Sequence, residues 1–260
     1  MNAIQCWALP DIPAVRPGDD LAEIICQSAR KAGLEFLRGD LLVVAQKIVS
    51  KAEGRTVALC EVEPSGRARR IAQATGRDPR FVEVILRESN EVVLASKTAL
   101  VVEHRSGVVC ANAGVDHSNV CGSLEGEEVV SLLPQDADAS ARGLRDQIRE
   151  RTGTEVAVIV SDTHGRPFRR GVVGVALGAA GIDPLADCRG EPDFFGRRLE
   201  ITIVAQGDEA AAAASLLMGQ AGEGRPAVLI RGFEYRKSDA GARPLFRPKR
   251  EDLFRGGGDR

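Results

Sequence analysis

The run LLVVAQKIVS, residues 41 to 50, opens as an unbroken apolar stretch. That is the signature of a strand buried on both faces, because a strand with one face in water alternates apolar and polar residues. TEVAVIVS, with its apolar run at 156 to 160, and AVLIRG, at 227 to 232, read as further strands. Helices are expected between them. Asp19 and Asp20 stand where an N-cap belongs, ahead of LAEIICQSARKAG with its helical apolar spacing. Residues 64 to 88 read as two helices broken at Gly76 and Pro79, and ASARGLRDQIRER (139 to 151) as a helix leading into TEVAVIVS. DEAAAAASLLMG (208 to 219) is rich in the best helix former, with acids at its start and glycine after it. VVLAS (92 to 96), LVVE (100 to 103) and VVCAN (108 to 112) suggest a meander of short strands. The alternation points to a mixed α/β (α+β) fold over residues 1 to 245, with a polar, glycine-rich tail at 246 to 260.

A chain of 260 residues with 43% hydrophobic content can bury a substantial core. Its net charge of -2, with no basic block interleaved with aromatics, argues against a nucleic-acid partner. No stretch approaches the roughly 20 apolar residues of a membrane span, and the N-terminus lacks the charged and apolar regions of a secretory leader. Six scattered cysteines without a CxxC pair suit reduced thiols and a cytoplasmic setting.

Four segments carry more polar chemistry than a fold requires. In AQKIVSKAEGR (45 to 55), Lys47 and Lys51 stand four apart just past a buried strand. They suit phosphate charge, or they are solvated lysines on a strand-to-helix connection. In CANAGVDHSNVCG (110 to 122), Gly114 permits a tight bend, and Asp116, His117, Ser118 and Asn119 crowd one loop. Short oxygen-bearing side chains there fit a hard divalent cation, or an Asx-type turn. VSDTHGRPFRRG (160 to 171) reads as a strand end running into a polar turn. Asp162 and Thr163 offer oxygen ligands, Arg166, Arg169 and Arg170 offer anion partners unless Arg169 and Arg170 are simply solvated, and His164 is either a turn residue or a ligand or base. In MGQAGEGRP (218 to 226), Gly219, Gly222 and Gly224 allow close backbone approach, although no Walker A motif occurs. At the C-terminal end of a helix, Gln220 and Glu223 suit a cation better than a phosphate. With Asp116 and Asp162 sharing a metal, these residues describe a metal-assisted enzyme that handles nucleotide or phosphate.

Taken in order, eight stretches resemble the coenzyme F420:L-glutamate ligase family, also called F420-0 γ-glutamyl ligases. They are ALPDIPAVRPGDDLAEI, LLVVAQKIVSKAEGR, VILRES, ANAGVDHSNV, SLLPQDADASARGLR, VIVSDTHGRPFRRG, DEAAAAASLLMGQAGEG and AVLIRG, and they run from residue 8 to about 232. The resemblance implies a family-specific fold of two intimate subdomains in an intertwined homodimer, with sites near the interface. It implies attachment of L-glutamate to the terminal carboxylate of coenzyme F420-0, with further γ-linked glutamates often added. GTP activates that carboxylate as an acyl phosphate, two divalent ions (Mg²⁺ or Mn²⁺) assist, and K⁺ stimulates.

Carried over by position, Asp116 and Asp162 match the acids of the first metal, and Thr163 and Gln220 positions associated with the second. Lys51 and Asn119 match nucleotide contacts. So do Leu9, Pro10, Asp11 and Ile12 near the start, and Met218, Gly219, Gln220, Ala221, Gly222, Glu223, Gly224 and Arg225 near the end. Gln46 and Lys47 stand where some relatives carry small hydroxyl residues, and His164 where a large apolar residue is frequent. Asp116, Asp162 and Lys51 form the implied catalytic set. Joining a carboxylate to a phosphate brings two anions together, so metal ions and cationic side chains must first cancel their repulsion. A metal-dependent phosphohydrolase using the same acids, and a non-catalytic F420- or nucleotide-binding protein, are the competing readings.

Overall fold

The computed structural model of the chain describes residues 3–117 and 128–252. Asn119 and Ser118, and the tail from residue 253 on, lie outside the described residues. In chain order the elements are β1 (Gln5–Ala8), α1 (Leu21–Lys31), β2 (Leu41–Ala45), α2 (Gln46–Ala52), β3 (Thr56–Ala58), α3 (Gly66–Thr75), α4 (Pro79–Arg87) and β4 (Ser89–Ala95). There follow β5 (Leu100–His104), β6 (Val109–Ala111), β7 (Val129–Ser131), α5 (Ala137–Thr152), β8 (Ala157–Arg166), β9 (Arg169–Ala180), β10 (Ala186–Asp187), β11 (Ile203–Val204), α6 (Gln206–Met218) and β12 (Ala227–Arg231).

A five-stranded sheet, ordered β1-β12-β2-β8-β9, forms the centre. The pair β2 and β8 is parallel and the other neighbours are antiparallel. The unbroken apolar runs have the expected cause. Leu42 and Val44 of β2, Val158 and Val160 of β8 and Leu229 of β12 pack on one face with Ile25 of α1 and Leu144 and Ile148 of α5. Leu41, Val43, Ile159, Val228 and Ile230 pack on the other with Ala210, Ala211 and Ala214 of α6. A second core lies between α3, α4 and the β4-β5-β6 meander, with Val82, Ile85, Leu100, Val102 and Val130 of β7 at its heart. The fold is mixed α/β, as the sequence implied.

Helix starts follow local chemistry. Asp20, Ser65, Asp78 and Asp136 each accept a hydrogen bond from a backbone N–H in the first turn of α1, α3, α4 and α5. Gly76 and Gly153 end α3 and α5 in the left-handed conformation.

Two stretches differ from the sequence reading. The apolar run 41–50 splits, so that the strand ends at Ala45 and QKIVSKA turns at once into α2. The segment 160–171 is no turn closing a strand. It is the outer half of a long β8–β9 hairpin, bulged between Val160 and Ser161 and again between Gly165 and Arg166. Beyond the core both sides of this hairpin meet solvent, so its polar residues show no burial period. β9 itself went unread because its glycines look like breakers. On Gly174 a Cβ would stand 2.5 Å from the Ala211 carbonyl of α6, and on Gly178 it would stand 2.2 Å from the Ala137 carbonyl of α5. Only glycine lets both helices close on this strand.

Candidate active site

The C-terminal ends of the parallel strands β2 and β8 open onto a cavity of about 600 Å³. In open α/β sheets that is where ligands sit. Because β2 passes directly into α2, the cavity wall receives Gln46, Lys47 and Lys51 from the helix. Gln46 is almost fully buried, and its side-chain oxygen accepts from Ser50 Oγ at 2.9 Å. Lys47 Nζ donates to Asp116 Oδ2 at 2.7 Å.

Asp116 owes its place to an unusual backbone. Asn112, Ala113 and Gly114 all have positive φ (54°, 54° and 68°), so three successive residues are left-handed. A non-glycine residue pays about 1–2 kcal/mol for that. The burial of Ala113 in the second core and two backbone hydrogen bonds between Asp116 and Ser131, at 2.9 and 3.1 Å, offset the strain. The turn delivers the Asp116 carboxylate to the cavity, whereas His117 next to it stacks on Phe81, ring centroids 4.6 Å apart.

The bulge in β8 allows Ser161, Asp162 and Thr163 all to line the cavity. Thr163 Oγ1 donates to the Gln220 side-chain oxygen at 2.9 Å, linking the hairpin to the loop after α6. That loop, 218–225, forms the opposite wall. Glu223 does not present a bare carboxylate there. It accepts from Ala221 N at 2.8 Å, and the loop's own N–H groups, with the Arg225 charge, hold its carboxyl below the usual range.

The structure thus gathers Gln46, Lys47, Lys51, Asp116, Asp162, Thr163, Ile12 and the whole of Met218, Gly219, Gln220, Ala221, Gly222, Glu223, Gly224 and Arg225 around one space. Three residues of the first segment do not line it. Leu9 is fully buried with its N–H bonded to the Ala227 carbonyl, the Pro10 carbonyl accepts from Ser28 Oγ, and Asp11 is an exposed corner with φ 53°. Nor do Arg166, Arg169 and Arg170 line it. The strand carries them outward along the hairpin, and Arg166 Nη2 donates to the Arg170 carbonyl at 3.3 Å. His164 faces a different cavity, although its Nε2 lies 3.4 Å from Asp162 Oδ2. Sequence reasoning missed Ser161, Gly174 and Ser215 in the lining. The signal for the last two was the match between the glycines of GVVGVALG and the small residues of α6.

Two carboxylates, a hydroxyl and an amide oxygen make an all-oxygen donor set that fits a hard divalent ion such as Mg²⁺ or Mn²⁺. Among the described residues no three His, Cys, Asp or Glu side chains converge on a metal position, so a cluster of the zinc type is not seen. The thiol of Cys110 is pushed up to about 12 by burial and by the Asp162 charge, far from a nucleophile's range.

The chain is similar to known proteins along most of its length. The sequence pattern described as F420-0:Gamma-glutamyl ligase matches residues 11–232. A Methanothermobacter thermautotrophicus protein named coenzyme F420:L-glutamate ligase is 51% identical over 247 residues, covering 94% of this chain and 96% of its own. Proteins of the same name from Methanopyrus kandleri (51%, covering 93% of each chain) and Archaeoglobus fulgidus (44%, covering 97% and 96%) are similar along the same length.

Proposed function

The chain belongs to the F420-0:gamma-glutamyl ligase family, and from that premise we propose that it is an enzyme joining L-glutamate to the terminal carboxylate of coenzyme F420-0 at the expense of GTP. The observation that carries this reading is the single cavity in which Asp116, Asp162, Thr163 and Gln220 face Lys47, Lys51 and the 218–225 loop. A ligase of this kind must hold a nucleotide's phosphates beside an acceptor carboxylate. Fixed cations and oxygen ligands in one enclosure supply that.

In the proposed reaction the γ-phosphoryl group of GTP passes to the acceptor carboxylate, releasing GDP and leaving an acyl phosphate. The glutamate amine, having lost a proton, then attacks the acyl carbon, and inorganic phosphate departs. Asp116 and Asp162 would hold a first divalent ion and Thr163 and Gln220 would contribute to a second, whose role is to neutralise charge between the reacting anions. Lys51 and Lys47 orient the phosphates, and Lys47 fixes the Asp116 carboxylate meanwhile. The loop 218–225 and Ile12 wall the nucleotide. Stimulation by K⁺ and successive γ-linked additions belong to the same proposal.

We place the reaction in a homodimer in the cytoplasm. Phe168, Phe194, Phe195 and Ile201 are 85–95% exposed on the β8–β9 tip and the 186–204 excursion, an apolar surface a second copy would cover. The described cysteines are free, which suits a reducing compartment, and among the described residues no helix is long and apolar enough to cross a membrane.

Mass spectrometry of F420-0 incubated with the protein, GTP, Mn²⁺ and L-glutamate tests the function. Mass gains in glutamyl steps, with GDP formed only when all components are present, are expected. GDP release unaffected by omitting glutamate and F420-0 would mean a phosphohydrolase, and no turnover at all a binding protein. Light scattering on the purified chain checks the dimer.

A further inference from the structure

The β8–β9 hairpin has a second flank. Opposite the cavity just described lies another of about 540 Å³, lined by Gly107, Val108, Val109, His164, Val175, Ala176, Asp208, Leu245, Phe246, Arg247 and Asp252. Asp162 stands between the two. It lines the first, and its Oδ2 lies 3.4 Å from Nε2 of His164, which lines the second. Nε2 of His164 is buried and makes no hydrogen bond among the described residues. Nothing in the proposed mechanism uses this space.

We propose that this second cavity is the subsite for the amine substrate, an α-amino acid bound as its zwitterion, with its carboxylate at Arg247 and its ammonium at Asp208. The assignment rests on the ligase reading, because it names where that reaction's second substrate sits.

Three observations favour a small zwitterion. The wall is mixed in sign, with Arg247 and the carboxylic residues Asp208 and Asp252 sharing it with apolar Val108, Val175 and Phe246. A pocket for a polyanion would be uniformly basic, and one for a flat ring would have no such charge pair. Asp208 is also held with one oxygen in use. Oδ1 accepts from Ala176 N at 2.9 Å, which orients the carboxylate, and Oδ2 makes no hydrogen bond among the described residues. Burial pushes this carboxyl upward, so a bound cation would relieve an existing cost. Last, the separation is short. His164 on the wall of this cavity lies 3.4 Å from Asp162, so an amine held beside it stands next to the acid at which the acyl phosphate is proposed to form.

Steady-state kinetics of Arg247→Gln and Asp208→Asn test the assignment. Each change removes one charge-assisted hydrogen bond, so KM for L-glutamate is expected to rise about tenfold. KM for GTP and for F420-0 should stay within about twofold. Arg247 is exposed, so its substitution leaves the fold intact even where loss of the Asp208–Ala176 bond loosens β9. Saturation-transfer NMR of L-glutamate on the wild-type protein and on Arg247→Gln gives an arm independent of turnover: signal on the first and loss on the second support the subsite. An unchanged glutamate KM in both variants overturns it, as does a rise in the F420-0 KM instead, which would hand the cavity to the acceptor. If the wild type forms no glutamylated product, the ligase reading itself fails, and the NMR arm still decides whether this cavity takes glutamate.

Discussion

The two ends of strand β2 treat charge in opposite ways. At its start, Asp40 is 1% exposed and receives two bonds from Arg231, at 2.8 and 2.7 Å, and a third from Leu37 N at 2.8 Å. Arg231 also donates to the Glu35 carbonyl and lies over the Trp7 ring, and Tyr235 closes the corner by donating to the Asp40 carbonyl. At the other end, the Lys47 and Asp116 side chains form an ion pair while 22% and 42% exposed, and Asp162 stands near a histidine without a hydrogen bond between them. One acid takes three hydrogen bonds and ties the start of β2 to the end of β12. The others line a cavity and stay partly exposed to it, which is where a ligand-exchanging carboxylate must stand. Ion pairs of similar length therefore carry different meanings, and what separates them is whether the acid reaches a cavity.

The sharpest way to break this contrast is Asp162→Asn. With the open end as the reactive one, glutamylation should fall about a thousandfold or more, in line with loss of a transition-state electrostatic partner, while the melting temperature barely moves. Asp40→Asn should invert that pattern. Removing one partner of a buried pair costs about 3–5 kcal/mol, to be seen in urea denaturation, with KM values unchanged at temperatures well below unfolding. Glu88 gives an intermediate case. It is buried, and the His104 imidazole 3.7 Å away, together with the Arg55 guanidinium that donates to it, holds its carboxyl below the usual range against the opposing effect of burial. A depressed folded value means that its stabilisation is present above the unfolded carboxylate value and disappears as pH falls through the folded one. Glu88→Gln should therefore cost about 1.5–3 kcal/mol at pH 7, and the gap to wild type should close in acid, below about pH 4. The smallest effect belongs to Lys47→Met. A half-open ion pair contributes at most about 1 kcal/mol to stability, so thermal melting should hardly change. The KM for GTP should nonetheless rise about tenfold for the lost phosphate contact.

How much of this was legible in the residues depended on how local the cause was. Strands β2, β8 and β12 announced themselves because a sheet covered on both faces leaves no polar position. The Asp20, Gly76 and Pro79 signals fixed helix ends for equally local reasons. The polar density near Asp116, Asp162 and Gln220 was visible too. Their convergence was not, because it depends on a parallel pairing of β2 with β8 and on a bond between Thr163 and Gln220, 57 positions apart. The family resemblance supplied that link. Arg166, Arg169 and Arg170, whose part in the site the residues left open, lie outside the cavity lining, since nearness along a strand is not nearness to its end. Leu9 shows the converse: its stretch matches the family pattern, yet its side chain belongs to the core.

The glycines of β9 have a mechanical consequence. In the ladder, Gly174 lies opposite Thr163 and Val175 opposite Asp162, while the two helices bear on the strand through the hydrogen atoms of Gly174 and Gly178. The position of the acid is thus calibrated by two sub-contact clearances, as a machined part is set by its shims. One added methyl at either glycine would move the Asp162 carboxylate without touching it, and such changes would appear as altered turnover in a protein whose proposed site residues are all intact.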